Sequence, residues 1–128
     1  MAVPDETTIS WHPDGYVEVI FVGVQKPEQV REVDRQSRMY MEEHGPICVF
    51  IDARYGRIGR DAASFSVLMK LGRVPQLKRL IVLVDPNSTD PDTGRESGVI
   101  ISMLTAALGK RPIYLYDEAQ ARQLAASE

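Results

Sequence analysis

Three arginines lie close together in a glycine-containing segment, 54–60, near the middle of the chain. The segment holds, in order, Arg54, Gly56, Arg57, Gly59 and Arg60. Arginine binds phosphate and carboxylate groups through paired N–H donors, and glycine allows backbone amides to come close to an anion. Asp61 follows and can cap a helix, whose positive N-terminal end would add to the attraction. The pattern predicts a site for an anion or for an acidic partner at this segment.

A second interpretation of the same arginines needs no ligand. Exposed arginines are ordinary, and these could be solvated or could pair with the nearby Asp52 and Asp61. The segment also lacks the GxxxxGK[ST] order of a phosphate-binding P-loop and the GxGxxG order of a dinucleotide-binding loop. The anion site and the internal ion pairs therefore remain as alternatives at this point.

Two aspartates could instead support acid–base chemistry. Asp52 and Asp85 each follow an apolar run that is typical of a central strand, and the carboxyl ends of parallel strands meet at one edge of a sheet. Strand-end aspartates more often cap a helix or hold a loop, so an enzyme is the third hypothesis.

The two histidines, His12 and His44, have no neighbours at metal-ligand spacing, and we predict no metal and no cofactor.

Two long connections are predicted at this edge, a loop over 52–60 that contains the arginines and the polar segment 85–93. Such connections usually have about two to six residues, so a longer one favours a functional interpretation. Its aspartates, Asp85, Asp90 and Asp92, are predicted to line a contact surface beside the arginine segment. Asp90 stands where a calcium-binding loop requires glycine, so the spacing does not predict a calcium site.

The elements that must position these residues alternate between strands and helices. A Pro-Asp-Gly turn at 13–15 joins two strands into a hairpin, and later apolar runs alternate with amphipathic stretches. This order predicts an α/β fold with a mixed, mainly parallel five-stranded sheet, an N-terminal β-hairpin and about four helices. Predicted strands cover 7–11, 16–22, 47–51, 80–84 and 112–116. Predicted helices cover 27–44, a stretch capped by Asp61, 95–108 and a stretch capped by Asp117.

Size and charge narrow the class of protein. The chain has 128 residues, of which 44% are hydrophobic and 26% are charged, and this predicts one domain over 1–128 with a flexible start at 1–6. A net charge of −3 argues against general binding to nucleic acid or to anionic membrane. Residues 1–6 do not resemble a signal peptide, and the single Cys48 lies in an apolar run. These features predict a cytoplasmic protein.

The order of the elements and three local stretches resemble the STAS domain, in particular its SpoIIAA-like branch. The stretches are the opening hairpin 9–21, the apolar strand that ends in Phe50-Ile51-Asp52, and the segment 112–121, which is similar to the family's last strand and final helix. The resemblance covers nearly the whole chain. It implies a regulatory, non-enzymatic protein that binds an anti-sigma factor, which in this family is also a kinase.

In the SpoIIAA-like branch, a serine at the start of the second helix takes a phosphate and thereby switches binding. That serine lies in an Asp-Ser-Ser-Gly-like stretch, which corresponds here to Asp61-Ala62-Ala63-Ser64. Alanines stand where both serines would be, and this departure puts the phosphorylation switch in doubt. Ser64 would be a shifted acceptor, still within a helix N-terminus that favours phosphate.

A protein partner is therefore the first expectation, with a contact surface made of Arg54, Arg57, Arg60, Asp61 and Ser64. The apolar helix predicted at 95–108 could also serve a homodimer or partner contact, or it could simply present a wide buried face. A domain that binds an anion or an apolar ligand is the second hypothesis.

Overall fold

One mixed sheet organises the domain. The computed structural model describes residues 5–58, 61–85 and 113–127. In this part the sheet has five strands in the order β1-β2-β3-β4-β5. Their bounds are β1 Thr8–His12, β2 Tyr16–Gln25, β3 Ile47–Ile58, β4 Leu77–Leu83 and β5 Ile113–Leu115. β1 runs antiparallel to β2, and the other neighbouring pairs are parallel. The predicted α/β class and mixed, mainly parallel sheet agree with this arrangement.

The opening hairpin forms where the turn residues predicted it. The amide of Gly15 donates to the carbonyl of His12 at 2.9 Å, which closes the turn between β1 and β2. Gly15 has a φ of 97°, a left-handed conformation that glycine adopts without a steric penalty. The hairpin register then pairs Trp11 with Val17.

The structure describes three helices, α1 Pro27–His44, α2 Ala62–Gly72 and α3 Glu118–Ala126. α1 matches its predicted bounds, with Pro27 in the first turn and the side chain of Gln29 accepting from the backbone amide of Lys26 at 2.7 Å. Asp61 and Asp117 cap α2 and α3, as predicted. The helix predicted at 95–108 lies outside the described residues.

The helices cover both faces of the sheet. On one face, Val33 and Met41 of α1 and Leu71 of α2 pack into a core with Val17, Val19 and other sheet residues. On the opposite face, Ala121 and Ala125 of α3 pack with Phe50, Ile81 and their neighbours. Alternation along the strands explains this division, because successive side chains of a strand point to opposite faces.

The C-terminal end of α1 is fixed to the hairpin by aromatic stacking. The rings of Trp11 and His44 are nearly parallel, with an angle of 5° and a centroid distance of 3.9 Å. Tyr40 lies one turn earlier on α1, and its ring centroid is 5.4 Å from that of Trp11. These contacts hold β1 against the helix that follows β2.

The predicted loop over 52–60 was wrong for most of its length. β3 continues through Ile58, and its last residues pair in parallel with the end of β2, from Val22 opposite Tyr55 to Gln25 opposite Ile58. The pairing is possible because Gly56 lies opposite Gly23 with no side chain between the backbones. A Cβ on Gly56 would come within 2.5 Å of the carbonyl oxygen of Gly23. Sequence reasoning took the glycine as a loop signal, whereas it marks a close approach of two strands.

Strand ends differ from the predicted ones in smaller ways as well. β2 extends three residues beyond the predicted end at 22, and β4 starts at Leu77 rather than at residue 80. Both extensions contain residues that are not typical of a strand. Gly23 and Gln25 lie within β2, and Lys78 and Arg79 lie within β4. Backbone pairing with β3 determines these bounds more strongly than local composition does.

Candidate functional site

A β-bulge in the C-terminal half of β3 brings charged side chains together. Ile20 pairs with Asp52 and Val22 pairs with Tyr55, so β3 advances by three residues where β2 advances by two. Such an extra residue re-aims the side chains around it. Arg54 stands within this step, and its guanidinium carbon lies 5.4 Å from the centroid of the Tyr55 ring.

Arg54 is bound to Asp52 in a two-pronged ion pair. Its Nε and Nη2 donate to Oδ1 and Oδ2 of Asp52 at 3.0 and 2.8 Å, and its backbone amide donates to Oδ1 at 3.1 Å. Asp52 is only 2% exposed, so this carboxylate is a fixed internal acceptor. Arg54 Nη2 also lies 2.7 Å from Oε1 of Glu118 at the start of α3.

The ion pairs continue from Glu118 across the face of the sheet. Oε2 of Glu118 accepts from Nε of Arg122 at 3.0 Å, one turn further along α3. Nη1 of Arg122 donates to the carboxylate of Glu18 and, at 3.1 Å, to the hydroxyl of Tyr16. Both acceptors belong to β2. We call the group Glu18, Asp52, Arg54, Glu118 and Arg122 the α3 ion-pair network.

Proton affinities within the network follow from these contacts. The hydrogen bond from Arg122, together with the charge of Arg54, lowers the pKa of Glu118. Bonding to Asp52 raises the pKa of Arg54, and burial raises the pKa of Tyr16. For Arg122, burial acts to lower the pKa, but its acceptors, with Glu18 first, outweigh that effect and raise it. These shifts favour the charged forms of Glu118, Arg54 and Arg122.

Asp61 and Ser64 come together at the start of α2, but they satisfy one another. The carboxylate of Asp61 accepts from the backbone amide of Ser64 at 2.9 Å and from its hydroxyl at 2.8 Å. These bonds, with the backbone bond first, lower the pKa of Asp61. Ser64 is fully buried. The aspartate thus occupies the position that an external phosphate would need at this helix N-terminus.

The other site residues predicted from the sequence fall at different places. Arg57 lies near the end of β3, where its Nη1 reaches the carbonyl of Ile58 at 3.4 Å. Asp85 is half-buried just after β4. Arg60, Asp90 and Asp92 lie outside the described residues. The structure joins Arg54 to Asp52 and Asp61 to Ser64, and these are two separate clusters.

The end of the β2–β3 pair carries exposed apolar side chains. We call residues 22–25 and 55–58 the ribbon tip. Val24 is 55% exposed and Tyr55 is 37% exposed, whereas most apolar residues of the sheet are buried. Val24 pairs in register with Arg57, and the exposed Lys26 comes directly after residue 25, where the ribbon tip ends on β2. The ribbon tip therefore combines apolar area with positive charge.

Side chains of Thr7 and Gln25 form hydrogen bonds with backbone groups of the ribbon tip. Oγ1 of Thr7 accepts from the amide of Val22 at 3.0 Å, and the same hydroxyl lies 3.1 Å from Oε1 of Gln25. Nε2 of Gln25 donates to the carbonyls of Val22 and Gly23 at 2.9 and 3.2 Å. Sequence reasoning missed both Thr7 and Gln25, since a polar residue near a strand end carries no signal for such a contact.

The described residues offer no metal centre and no helix suited to a membrane. In 5–58, 61–85 and 113–127, no group of three or more His, Cys, Asp or Glu side chains is placed to hold a metal ion. No helix of that same part is long and apolar enough to cross a membrane. The clearest chemical feature is a set of internally paired charges beside an exposed apolar and basic ribbon tip.

Comparison with known proteins supports the fold. No protein-family model and no curated protein matches the chain. Among solved structures, the chain is similar to an uncharacterised protein of the DUF3478 family from Shewanella loihica PV-4, which has a SpoIIAA-like fold. The identity is 15%, the TM-score is 0.61, and the match covers 98% of each chain. The chain therefore has a SpoIIAA-like fold over nearly its whole length.

Proposed function

We propose that this domain is a non-enzymatic, regulatory protein-interaction domain and that the ribbon tip is its binding surface. The observation that carries the proposal is the exposure of Val24 and Tyr55 at the carboxyl edge of the sheet. In α/β sheets this edge is where binding sites form. Exposed apolar residues grouped beside polar ones are characteristic of protein contact surfaces.

The charges around the ribbon tip favour a particular kind of partner. Arg57 pairs with Val24 across the two strands, and the exposed Lys26 comes two residues after Val24, just beyond the end of β2. A partner segment with apolar residues bordered by Asp or Glu would complement this surface. The role is analogous to that of anti-sigma-factor antagonists, although the paired and buried Ser64 does not favour a phosphorylation switch at that residue.

The alternative functions receive less support from the geometry. Arg54 gives its donors to Asp52 and Glu118, which disfavours an anion site built on it. Asp52 is buried with both oxygens on one guanidinium, which disfavours a role as general acid or base. Cys48 is a buried free thiol, and the proposal accordingly places the domain in the cytoplasm.

Affinity capture with matched variants tests the proposal. Immobilised wild-type protein, Val24→Asp and Met39→Asp would be compared for the proteins that they retain from lysate. Val24 and Met39 are almost equally exposed, at 55% and 53%, but Met39 lies on α1 away from the ribbon tip. We expect a partner that both wild type and Met39→Asp retain and that Val24→Asp loses by about tenfold or more, as for a charge placed in an interface core. Equal retention by all three proteins would contradict the proposal.

A further inference from the structure

The helix α3 brings few apolar side chains of its own to the sheet. Its fully buried residues are Ala121 and Ala125, and Leu124 is partly buried against the same core. Each alanine contributes one methyl group, so the side chains of the helix itself bury little apolar area. On the opposite face, α1 has 18 residues and buries Val30, Val33 and Met41.

Several charged contacts attach α3 to the sheet. Arg122 binds Glu18 and Tyr16 of β2, and its guanidinium carbon lies 4.9 Å from the ring centroid of Phe50. Glu118 binds Arg54 of β3. Just after the helix, Arg79 of β4 donates to the hydroxyl of Ser127 at 3.0 Å. Salt screens such partly exposed ion pairs, while apolar packing on the other face is not weakened by salt in this way.

The surface beneath α3 is strongly apolar. Tyr16, Phe50, Ile81 and Leu83 are buried in the cluster that α3 completes. If α3 left the sheet, part of this cluster would be exposed to water. The rest of the sheet would keep its strand pairing and its other core.

We propose that α3 is a releasable cover, which separates from the sheet as a unit at a lower free-energy cost than global unfolding and exposes the apolar face that contains Phe50. Local opening of this kind is expected where few apolar contacts hold an element. The cover is distinct from the ribbon tip and does not depend on the function proposed for it. High ionic strength and loss of Arg122 both favour the open form.

Hydrogen exchange read by mass spectrometry tests the cover directly on the full chain. Exchange of the hydrogen-bonded amides in 120–126 would be compared with exchange in 47–52 of β3, at low salt and at about 1 M NaCl, where charges are screened beyond about 3 Å. We expect the α3 amides to exchange at least about tenfold faster than those of β3, and faster still in high salt. Binding of a fluorescent apolar dye should rise in parallel.

Two variants separate the ion-pair network from general effects of charge. Arg122→Met should accelerate exchange throughout α3 by about tenfold, while leaving β3 unchanged. Arg38→Met is the matched control, because it removes the pair between Arg38 and Asp34 on α1 and should not affect α3. Glu118→Gln replaces Arg122→Met if the latter fails to fold.

Two results would overturn the proposal. One is exchange of α3 at the same rate as β3, with equal responses to salt, because α3 would then open only in global unfolding. The other is fast exchange confined to the last turn with protection of the amides of 120–122, because that pattern is ordinary fraying of a chain end.

Discussion

Arg54 and Asp52 form a closed pair in which two guanidinium nitrogens contact two carboxylate oxygens at 3.0 and 2.8 Å. The pair stands two residues apart on one strand, in the bulge of β3. It makes Arg54, one of the three arginines of the predicted anion site, a structural group that also reaches α3 through Glu118.

Removing the charge of Asp52 should destabilise the domain. Asp52→Asn keeps the shape of the side chain but leaves Arg54 with a weaker acceptor, so we expect the free energy of unfolding to fall by about 1–3 kcal/mol. Urea denaturation followed by circular dichroism measures the change. Asp34→Asn, which breaks an exposed pair with Arg38, should cost at most about 1 kcal/mol. An equal loss in both variants would show that burial of the Asp52 pair has no energetic weight.

A methyl group on Gly56 should disrupt the ribbon tip. Its Cβ would lie 2.5 Å from the carbonyl oxygen and 2.7 Å from the amide nitrogen of Gly23, and these are backbone atoms that cannot rotate away. We expect Gly56→Ala to lower the free energy of unfolding by about 3 kcal/mol, as severe overpacking does. Gly23→Ala meets no nearby atom but sits at a φ of 72°, so its cost should be smaller, about 1–2 kcal/mol. The reverse ranking in thermal denaturation would contradict the observed pairing of these strands.

The hydroxyl of Thr7 should stabilise the part of β2 that lies beside the bulge of β3. Thr7→Val has nearly the same shape but removes the acceptor of the Val22 amide and the contact with Gln25. We expect a loss of about 1–2 kcal/mol in the free energy of unfolding, measured by denaturant titration. Thr8→Val is the control, since Thr8 is exposed on β1 and a β-branched apolar residue suits a strand. If the two variants are equally stable, the bond from Val22 to Thr7 does not form in solution.

Acid should weaken the attachment of α3 through Glu118. Because Arg122 and Arg54 lower its pKa in the folded state, Glu118 contributes stability that is fully present above its ordinary pKa of 4.5 and is lost as the pH falls through the lowered folded pKa. Glu118→Gln should therefore show a shallower fall in the free energy of unfolding below about pH 4.5 than the wild type does. Glu42→Gln, on the exposed side of α1, controls for the change in net charge. Parallel curves for wild type and Glu118→Gln would exclude this linkage.

Local patterns in the sequence predicted the elements whose ends are set by local chemistry. The hairpin follows from the turn that ends in Gly15, α1 from Pro27 and its apolar spacing, and the starts of α2 and α3 from Asp61 and Asp117. In each case the residue that determines the boundary acts on backbone within a few residues of itself. Such contacts can be inferred from one chain.

The arrangement of the site depended on contacts that local patterns do not contain. Arg122 and Glu18 are separated by 104 positions, and no spacing rule connects them. The segment from Asp52 to Ile58 looks like a loop because it is polar and contains Gly56, yet it is a strand because Gly23 stands opposite. Tertiary pairing overrides composition here, and it also pairs Arg54, one of the three arginines of the predicted site, with Asp52 and Glu118.

Site-specific photo-crosslinking tests the central claim, that the ribbon tip binds a protein, most directly. A photoreactive amino acid would replace Val24 in one protein and the equally exposed Met39 in another. We expect a defined protein adduct from position 24 and none from position 39. Excess unlabelled wild type should abolish the adduct, and Tyr55→Asp in the same chain should weaken it. Equal adducts from both positions, or none from position 24, would contradict the claim.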